Sequence, residues 1–256
     1  MFPPARRWRR NPMAAWLIPE LTAASDWILA MADPTAAGPS RPAKRAAHQI
    51  DRSESHDADP PGSLGAVASG VDACQRCDLW RDATQGVPGA GPGHARLMFV
   101  GEQPGDQEDL AGKPFVGPAG QMLDRALAEA GVPRAETYVT NAVKHFKHEP
   151  RGKRRIHQTP NVGEVKACQW WLDAERRLVR PRVVVALGAT AALAVFGKAM
   201  PIGKSRGRAF QLDDQSQGTV TYHPSFLLRV PDSAAKAEAY AAFIEDLRLA
   251  WGLVGA

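Results

Sequence analysis

Residues 96–105 read RLMFVGEQPG, and the predicted fold rests on this stretch. The apolar run LMFV at 97–100 has the length and composition of a buried strand, and it ends at Gly101. Glu102 and Gln103 follow at once in a tight turn. A carboxylate and an amide therefore lie at the carboxyl end of a buried strand, the edge where open α/β sheets bind ligands. For this stretch alone, an ordinary strand-to-loop turn is the alternative.

The composition is that of a globular protein with a basic balance. The 256 residues are 44% hydrophobic and 23% charged, with a net charge of +5. This charge favours polyanions such as nucleic acid, although many basic proteins bind none. No apolar run reaches the roughly 18 residues that span a bilayer, so we expect no membrane partner and a cytoplasmic location. Three cysteines, two of them close together, are a better metal pattern than a disulfide framework.

Residues 1–70 differ in composition from the rest of the chain. They open with four arginines within positions 6–10 and continue rich in Pro, Ala, Ser and charge. We predict a disordered extension over 1–70, followed by one globular domain at 71–256. Three interpretations of the basic start remain open: a targeting signal, an upstream start codon with Met13 or Met31 as the true beginning, and an arm that contacts phosphates.

Apolar runs alternate with helical patterns along the rest of the chain. The runs lie at 97–100, 137–143, 182–187 and 219–222, and the helical patterns at 119–130, 162–179, 189–196 and 234–253. This order predicts an α/β fold: a three-layer α/β/α sandwich with a mainly parallel, four-stranded central sheet. Residues 106–120, 148–160 and 204–208 are predicted loops.

Polar residues follow the predicted strands directly. Glu102, Asn141 and His223 come after the first, second and fourth strands, and Gly188 after the third. Because parallel strands end at one edge, these residues are expected to lie together, beside the basic loops at 151–155 and 204–208. A polar pocket ringed by Arg and Lys suits a phosphate-backed ligand. The residues alone thus predict one site and a nucleic-acid partner, with a merely solvated loop as the alternative for the basic run.

Five motifs, in this order, resemble the uracil-DNA glycosylase superfamily. They are GEQPG (101–105), KPFVGPAG (113–120), TNAVKH (140–145), KRRIH (153–157) and HPS (223–225). Within the superfamily the chain is similar to the iron–sulfur branch related to the family-four enzymes, and most similar to the UdgX group, which binds uracil-DNA covalently. The resemblance covers about residues 74–251. It implies uracil-containing DNA as the partner, single-stranded or with the base flipped from a duplex, bound by a monomer.

The resemblance assigns three residues to the flipped base and one to the sugar. Phe115 would stack on the uracil, and Asn141 would pair with its edge. His223 would hydrogen-bond a uracil carbonyl as charge moves onto the leaving base. Glu102 would stabilise the oxocarbenium-like sugar or polarise the nucleophile.

Further residues are assigned to the surroundings of the base. Gln103 would be a catalytic residue that contacts the base or the loop. Family-four enzymes commonly carry Ala at this position. Asp106 and Ser225 would brace the pocket and the DNA backbone. Arg154 and Arg155 would position the loop against phosphate.

His157 is the distinctive residue of the set. In UdgX-like proteins the histidine of KRRIH attacks the anomeric carbon in place of water, which implies that His157 is a nucleophile and that the protein acts once. By itself, a histidine in a basic loop indicates only a surface residue. Three hypotheses follow: covalent single-turnover uracil excision, ordinary multiple-turnover excision in base excision repair, and a non-catalytic nucleic-acid-binding module.

The cysteines also match the iron–sulfur branch. The resemblance implies a [4Fe–4S] cluster held by Cys74, Cys77, His145 and Cys168. His145 stands where family-four enzymes have their remaining cysteine, an exchange that UdgX-like proteins share. Ligand types alone favour structural zinc, since three Cys and one His form a common tetrahedral set, whereas the resemblance favours the cluster.

Overall fold

The computed structural model describes residues 59–255. Most of the predicted extension, residues 1–58, lies outside the described residues. The first helix (α1) spans Leu64–Asp72, so it begins before residue 71, and it buries Val67 and Val71 in the core. Its start has a sequence signal: the Ser63 hydroxyl accepts a hydrogen bond from the backbone N–H of Ala66.

The described part contains seven strands and eight helices. The strands are β1 (Leu97–Gly101), β2 (Thr137–Asn141), β3 (His148–Arg151), β4 (Arg154–His157), β5 (Val183–Leu187), β6 (Ala209–Gln211) and β7 (Gln217–Thr221). The helices are α1, α2 (Asp106–Ala111), α3 (Pro118–Ala130), α4 (Val162–Val179), α5 (Ala189–Phe196), α6 (Ile202–Ser205), α7 (Pro224–Arg229) and α8 (Ser233–Gly255). None of the described helices combines the length and apolarity needed to cross a bilayer.

The central sheet has five strands in the order β2-β1-β5-β7-β6. The first four are mutually parallel, whereas β6 pairs antiparallel with β7. The predicted mainly parallel sheet is confirmed, but the predicted number of four strands is too small. The missed strand, β6, has only three residues and is not buried, so it leaves no apolar run in the sequence.

The helices cover both faces of the sheet. Alternate residues of β1 face opposite layers: Leu97 and Phe99 pack with α3, α7 and α8, while Met98 and Val100 pack with α1, α4 and α5. Strand β5 alternates in the same way, and both strands are fully buried. This burial on both faces explains their continuous apolar runs and confirms the three-layer sandwich.

All three predicted loops contain regular structure, although the loop at 204–208 includes only the end of α6. Residues 148–157 form an antiparallel hairpin, β3–β4, in which His148 pairs with His157 and Arg151 with Arg154. Residues 106–111 form α2, whose Glu108 and Asp109 are buried. Neither segment has an apolar periodicity, because each is held by polar contacts to the rest of the protein rather than by an apolar face.

Candidate active site at the carboxyl edge of the sheet

A cavity of about 680 Å³ opens at the carboxyl edge of the parallel strands. Eight of the ten predicted catalytic and substrate-binding residues line it: Glu102, Gln103, Asp106, Phe115, Asn141, His157, His223 and Ser225. The cavity lining does not include Arg154 or Arg155.

Strand register explains this convergence. Gly101 pairs with Asn141 at the ends of β1 and β2, and Leu187 pairs with Thr221 at the ends of β5 and β7. Glu102 follows β1 directly, and His223 is the second residue after β7. Residues that follow parallel strands therefore meet at one edge, as the sequence predicts.

The Glu102 carboxylate is held from two sides. The Thr190 hydroxyl donates to Oε2 at 2.6 Å, and His157 Nε2 lies 3.2 Å from Oε1. Burial alone would raise the pKa of Glu102, but the hydrogen bonds from His157 and Thr190 and the nearby imidazoles outweigh it, so the pKa lies below its ordinary value. Glu102 is therefore an anion at neutral pH, in contact with the imidazole of the KRRIH motif.

His223 is held as a neutral ring. The backbone N–H of Ser225 donates to Nδ1 at 3.2 Å, and the Ser225 hydroxyl lies 2.8 Å from the same nitrogen. Because Arg229 donates to that hydroxyl at 3.1 Å, the hydroxyl proton is directed to Nδ1. Burial, assisted by the Arg229 cation, lowers the pKa of His223 to about 4 despite the opposing charge of Glu102. The remaining ring proton is on Nε2, which makes Nε2 a hydrogen-bond donor.

Phe115 forms an aromatic wall of the cavity. Its backbone has a φ of 58°, and its ring is stacked on His223 with 6.4 Å between centroids. Gly120 makes this conformation possible, since a Cβ there would collide with the Phe115 carbonyl. Gly101 leaves room for the edge of the Phe115 ring, since a Cβ at Gly101 would collide with both Phe115 and Asn141.

Asn141 presents its amide at the base of the cavity. Its side chain is only 3% exposed, and its oxygen lies close to the Gly101 backbone. No hydrogen bond to this side-chain amide is formed within residues 59–255. A buried amide without a protein partner is available for a ligand that both donates and accepts.

Gln103 contacts the loop. Its Nε2 donates to the carbonyls of Lys147 and Gln158, at 3.1 and 3.0 Å, and its Oε1 accepts from the Lys147 N–H at 3.0 Å. These residues flank the β3–β4 hairpin on both sides. Of the two contacts predicted for Gln103, base or loop, the structure contains the loop contact.

Arg155 is occupied by carboxylates. Its guanidinium bonds Asp106 at 2.6 Å and also pairs with Asp109, which is fully buried. The same group bonds the Thr84 hydroxyl. Arg155 therefore joins the hairpin to α2, and its neighbour Arg154 is exposed. Contact of these two side chains with phosphate stays a prediction.

Comparisons with known proteins agree with this geometry. The profile described as "Uracil DNA glycosylase superfamily" matches residues 88–248. This chain belongs to that superfamily. The Type-4 uracil-DNA glycosylase of Thermotoga maritima is 40% identical over 164 residues, which are 64% of this chain and 82% of the relative. That of Pyrobaculum aerophilum is 37% identical over 186 residues, 70% of this chain and 88% of the relative.

A Type-5 uracil-DNA glycosylase of Pyrobaculum aerophilum is 34% identical over 147 residues, 52% of this chain and 62% of the relative. The predicted superfamily is thus confirmed, together with similarity to its Type-4 members. Similarity to the UdgX group stays a prediction.

The three cysteines of this superfamily member lie in one region beside the site. Cys168 is buried, and its Sγ accepts the Lys144 backbone N–H at 3.2 Å. Cys74 Sγ accepts the Trp171 indole N–H at 3.1 Å. Burial, against the lowering effect of Lys144 and with smaller contributions from the Cys77 and Cys74 thiols, raises the pKa of Cys168 to about 12.

These side chains do not form a compact single-ion site. Within the part of the chain that the structure describes, no group of three or more His, Cys, Asp or Glu side chains is arranged to hold one metal ion. His145 is buried, and this burial lowers its pKa below the ordinary value. The Cys74 and Cys168 sulfurs each accept an N–H hydrogen bond, which fits the sulfur ligands of an iron–sulfur group. The donor set of three Cys and one His also suits zinc.

Three residues of the site escaped prediction. Thr190 supports Glu102, and it lies two residues after Gly188 at the same sheet edge, so the strand-end rule could have included it. Arg229 supports Ser225, and their i, i+4 spacing on one helix was the available signal. Asp109 gave no signal, because only tertiary contacts bury it.

Proposed function

We propose that this protein excises uracil from DNA and joins itself to the abasic sugar through His157. One observation carries the proposal: the His157 imidazole lies 3.2 Å from the anionic Glu102 carboxylate, inside the cavity that also contains Phe115, Asn141 and His223. A nucleophile, an anion and a base-binding slot therefore share one space.

The base is recognised by shape and by hydrogen bonds. The Phe115 ring supplies a stacking surface. The free Asn141 amide donates to a uracil carbonyl and accepts from the uracil N3–H. The Nε2–H of neutral His223 donates to a carbonyl on which negative charge develops.

In the proposed covalent step, the His157 ring replaces the base at C1′ of the sugar. The bond between C1′ and uracil N1 breaks, and its electron pair leaves with the base. The Glu102 carboxylate stabilises the positive sugar. A lone pair of the His157 ring forms the new bond to C1′, and the ring proton passes to Glu102, whose oxygen lies 3.2 Å from Nε2.

We also propose that Cys74, Cys77, His145 and Cys168 hold a [4Fe–4S] cluster. When bound, the group would supply a structural crosslink between the Cys74–Cys77 segment, the turn after β2, and α4. The N–H groups of Trp171 and Lys144 that face two of the sulfurs support this assignment.

The proposed partner is uracil-containing DNA, single-stranded or with a flipped base, bound by a monomer in the cytoplasm or at the nucleoid. Exposed Arg154 and Lys153 at the hairpin turn supply positive charge for the phosphates. The names of the Type-4 relatives support uracil-DNA as the substrate class.

Uracil release per protein molecule tests the proposal. With a uracil-containing oligonucleotide in excess, we expect release to stop at about one equivalent. Glu102→Gln should slow release by at least about 100-fold, whereas Glu245→Gln, on an exposed part of α8, should not. Continued release would indicate an ordinary glycosylase, as the Type-4 relatives are named. Binding without release would indicate a non-catalytic module.

A further inference from the structure

Strand β2 is an edge strand of the sheet. Its outer backbone groups therefore need partners other than a strand. At Val139 they have one, because Ala90 exchanges two backbone hydrogen bonds of 2.8 Å with it. Asn141 lies two residues further, on the same outer side, where no strand continues.

The Lys144 side chain takes this position. Its ammonium donates to the Asn141 backbone carbonyl at 2.9 Å, to the Thr140 hydroxyl at 2.6 Å and to Glu175 at 2.7 Å. Lys144 and Glu175 are both fully buried. Three acceptors satisfy all three ammonium protons, so the ammonium is fixed in one orientation.

Glu175 connects the same edge to a second segment. Its Oε1 accepts the Gly89 N–H at 2.8 Å, and its Oε2 accepts the Thr140 hydroxyl at 2.7 Å. The Val87 N–H in turn donates to the Lys144 carbonyl at 2.8 Å. The ion pair thus holds residues 87–90 along the outer side of β2.

Stability alone does not account for such a pair. Taking two charges out of water is costly, and well-packed apolar replacements of both partners are often neutral or stabilising. The specific feature of this pair is its contact with the residue that ends β2 and faces the cavity. It also lies next to the segment of His145, since the Lys144 N–H bonds Cys168.

We propose that Lys144 is a positioning residue for base recognition: its ammonium, neutralised by Glu175, fixes the Asn141 carbonyl and thereby orients the Asn141 side chain in the cavity. This inference rests on the proposed function for the identity of the base. The placement of the Asn141 side chain by Lys144 does not depend on the proposed function.

The test replaces both charges with apolar groups, Lys144→Met together with Glu175→Leu, so that no buried charge is left alone. We expect the double variant to fold and keep its iron content. Its inhibition constant for free uracil should rise about tenfold or more. In single-turnover assays, the concentration of uracil oligonucleotide that gives the half-maximal rate should rise more than the maximal rate constant falls. Its crystal structure should show the Asn141 amide displaced.

A matched control is Arg176→Met with Asp214→Asn, which removes another ion pair of α4, remote from the cavity. It should leave the inhibition constant for free uracil unchanged.

A second variant applies if the double variant fails to fold. Thr140→Val removes one partner of Lys144 at nearly constant shape, and a rise in the inhibition constant for free uracil is again expected.

An unmoved Asn141 in either variant, with an unchanged uracil constant, would overturn the inference. If the wild type neither releases nor binds uracil, the proposed function fails. The position of Asn141 in the variant crystal structure then decides the inference separately.

Discussion

At the scale of single residues, the state of His223 is set by its neighbours. Ser225 offers a backbone N–H and a hydroxyl to Nδ1, and Arg229 holds that hydroxyl. A second proton on the ring would have to displace these donors. The charges that face His223 are Glu102, which favours protonation, and Arg229 and His157, which oppose it.

The depressed pKa of His223 makes stability depend on pH. Its pKa is about 4 in the folded protein, against an ordinary 6.5, so the unfolded chain binds the proton more readily. The stability that neutral His223 contributes is fully present above about pH 6.5 and is lost as the pH falls towards 4. We expect the free energy of unfolding, measured in urea, to fall across this window less steeply in His223→Asn than in the wild type.

Exposed His94 provides the control. The variant His94→Asn should keep the wild-type slope. Identical slopes in the wild type and His223→Asn would show that His223 is not held neutral by its surroundings.

The sequence predicts some residues of the site but not the residues that support them. Glu102 and His223 come after β1 and β7, and Asn141 ends β2, so the order of parallel strands brings the three together. The support of Glu102 by Thr190 depends on a contact between residues 88 positions apart. Chain order places Thr190 at the same sheet edge, but it does not identify Glu102 as the partner of its hydroxyl.

At the scale of elements, the β3–β4 hairpin determines where His157 lies. Two contacts attach the hairpin to the body: Gln103 bonds both of its flanks, and Arg155 pairs with Asp106 and Asp109. In the described part of the chain, β3 and β4 pair only with each other. The position of the hairpin therefore depends on these polar contacts. They set the distance between His157 and Glu102.

Replacing Arg155 should loosen the hairpin. Arg155→Met leaves the buried Asp109 without its cation, and we expect a loss of about 2 kcal/mol in stability, below the value for fully buried pairs because Arg155 is partly exposed. Amide hydrogen exchange in β4 should quicken, and the rate of adduct formation should fall. Urea unfolding and exchange mass spectrometry measure these effects.

The adjacent arginine is a matched comparison. Arg154→Met should leave stability and β4 exchange unchanged, but reduce the salt dependence of DNA binding by about one phosphate contact. Equal effects of the two substitutions on stability would contradict the distinction between the two side chains.

The same elements explain what the sequence could predict of the fold. The strands β1, β2, β5 and β7 are buried, and their apolar runs identify them. The hairpin and α2 contain mainly charged residues, and their regular structure comes from tertiary ion pairs. A pattern of hydrophobicity cannot detect either.

At the scale of the whole molecule, the cysteine region links distant parts of the chain. Cys74 and Cys77 follow α1, His145 follows β2, and Cys168 belongs to α4. None of the four lines the cavity. A cluster there is therefore expected to stabilise the fold without taking part in excision.

Removal of a proposed cluster ligand tests this expectation. Cys168→Ala should abolish iron binding and visible absorbance, and it should lower stability by at least about 2 kcal/mol, or roughly 4–8 °C in Tm. Excision per folded molecule, assayed well below the new Tm, should change much less. Complete loss of excision in protein that circular dichroism shows to be folded would indicate that the cluster does more than stabilise the fold.

The proposed reaction requires that one cavity recognises uracil and that His157 captures the sugar. The most direct measurement mixes purified protein with a uracil-containing oligonucleotide, boils the mixture in detergent and separates it on a denaturing gel. We predict a shifted band that requires uracil and is absent in His157→Ser. Abasic DNA accumulating without a shifted band, or a band that persists in His157→Ser, would contradict this prediction.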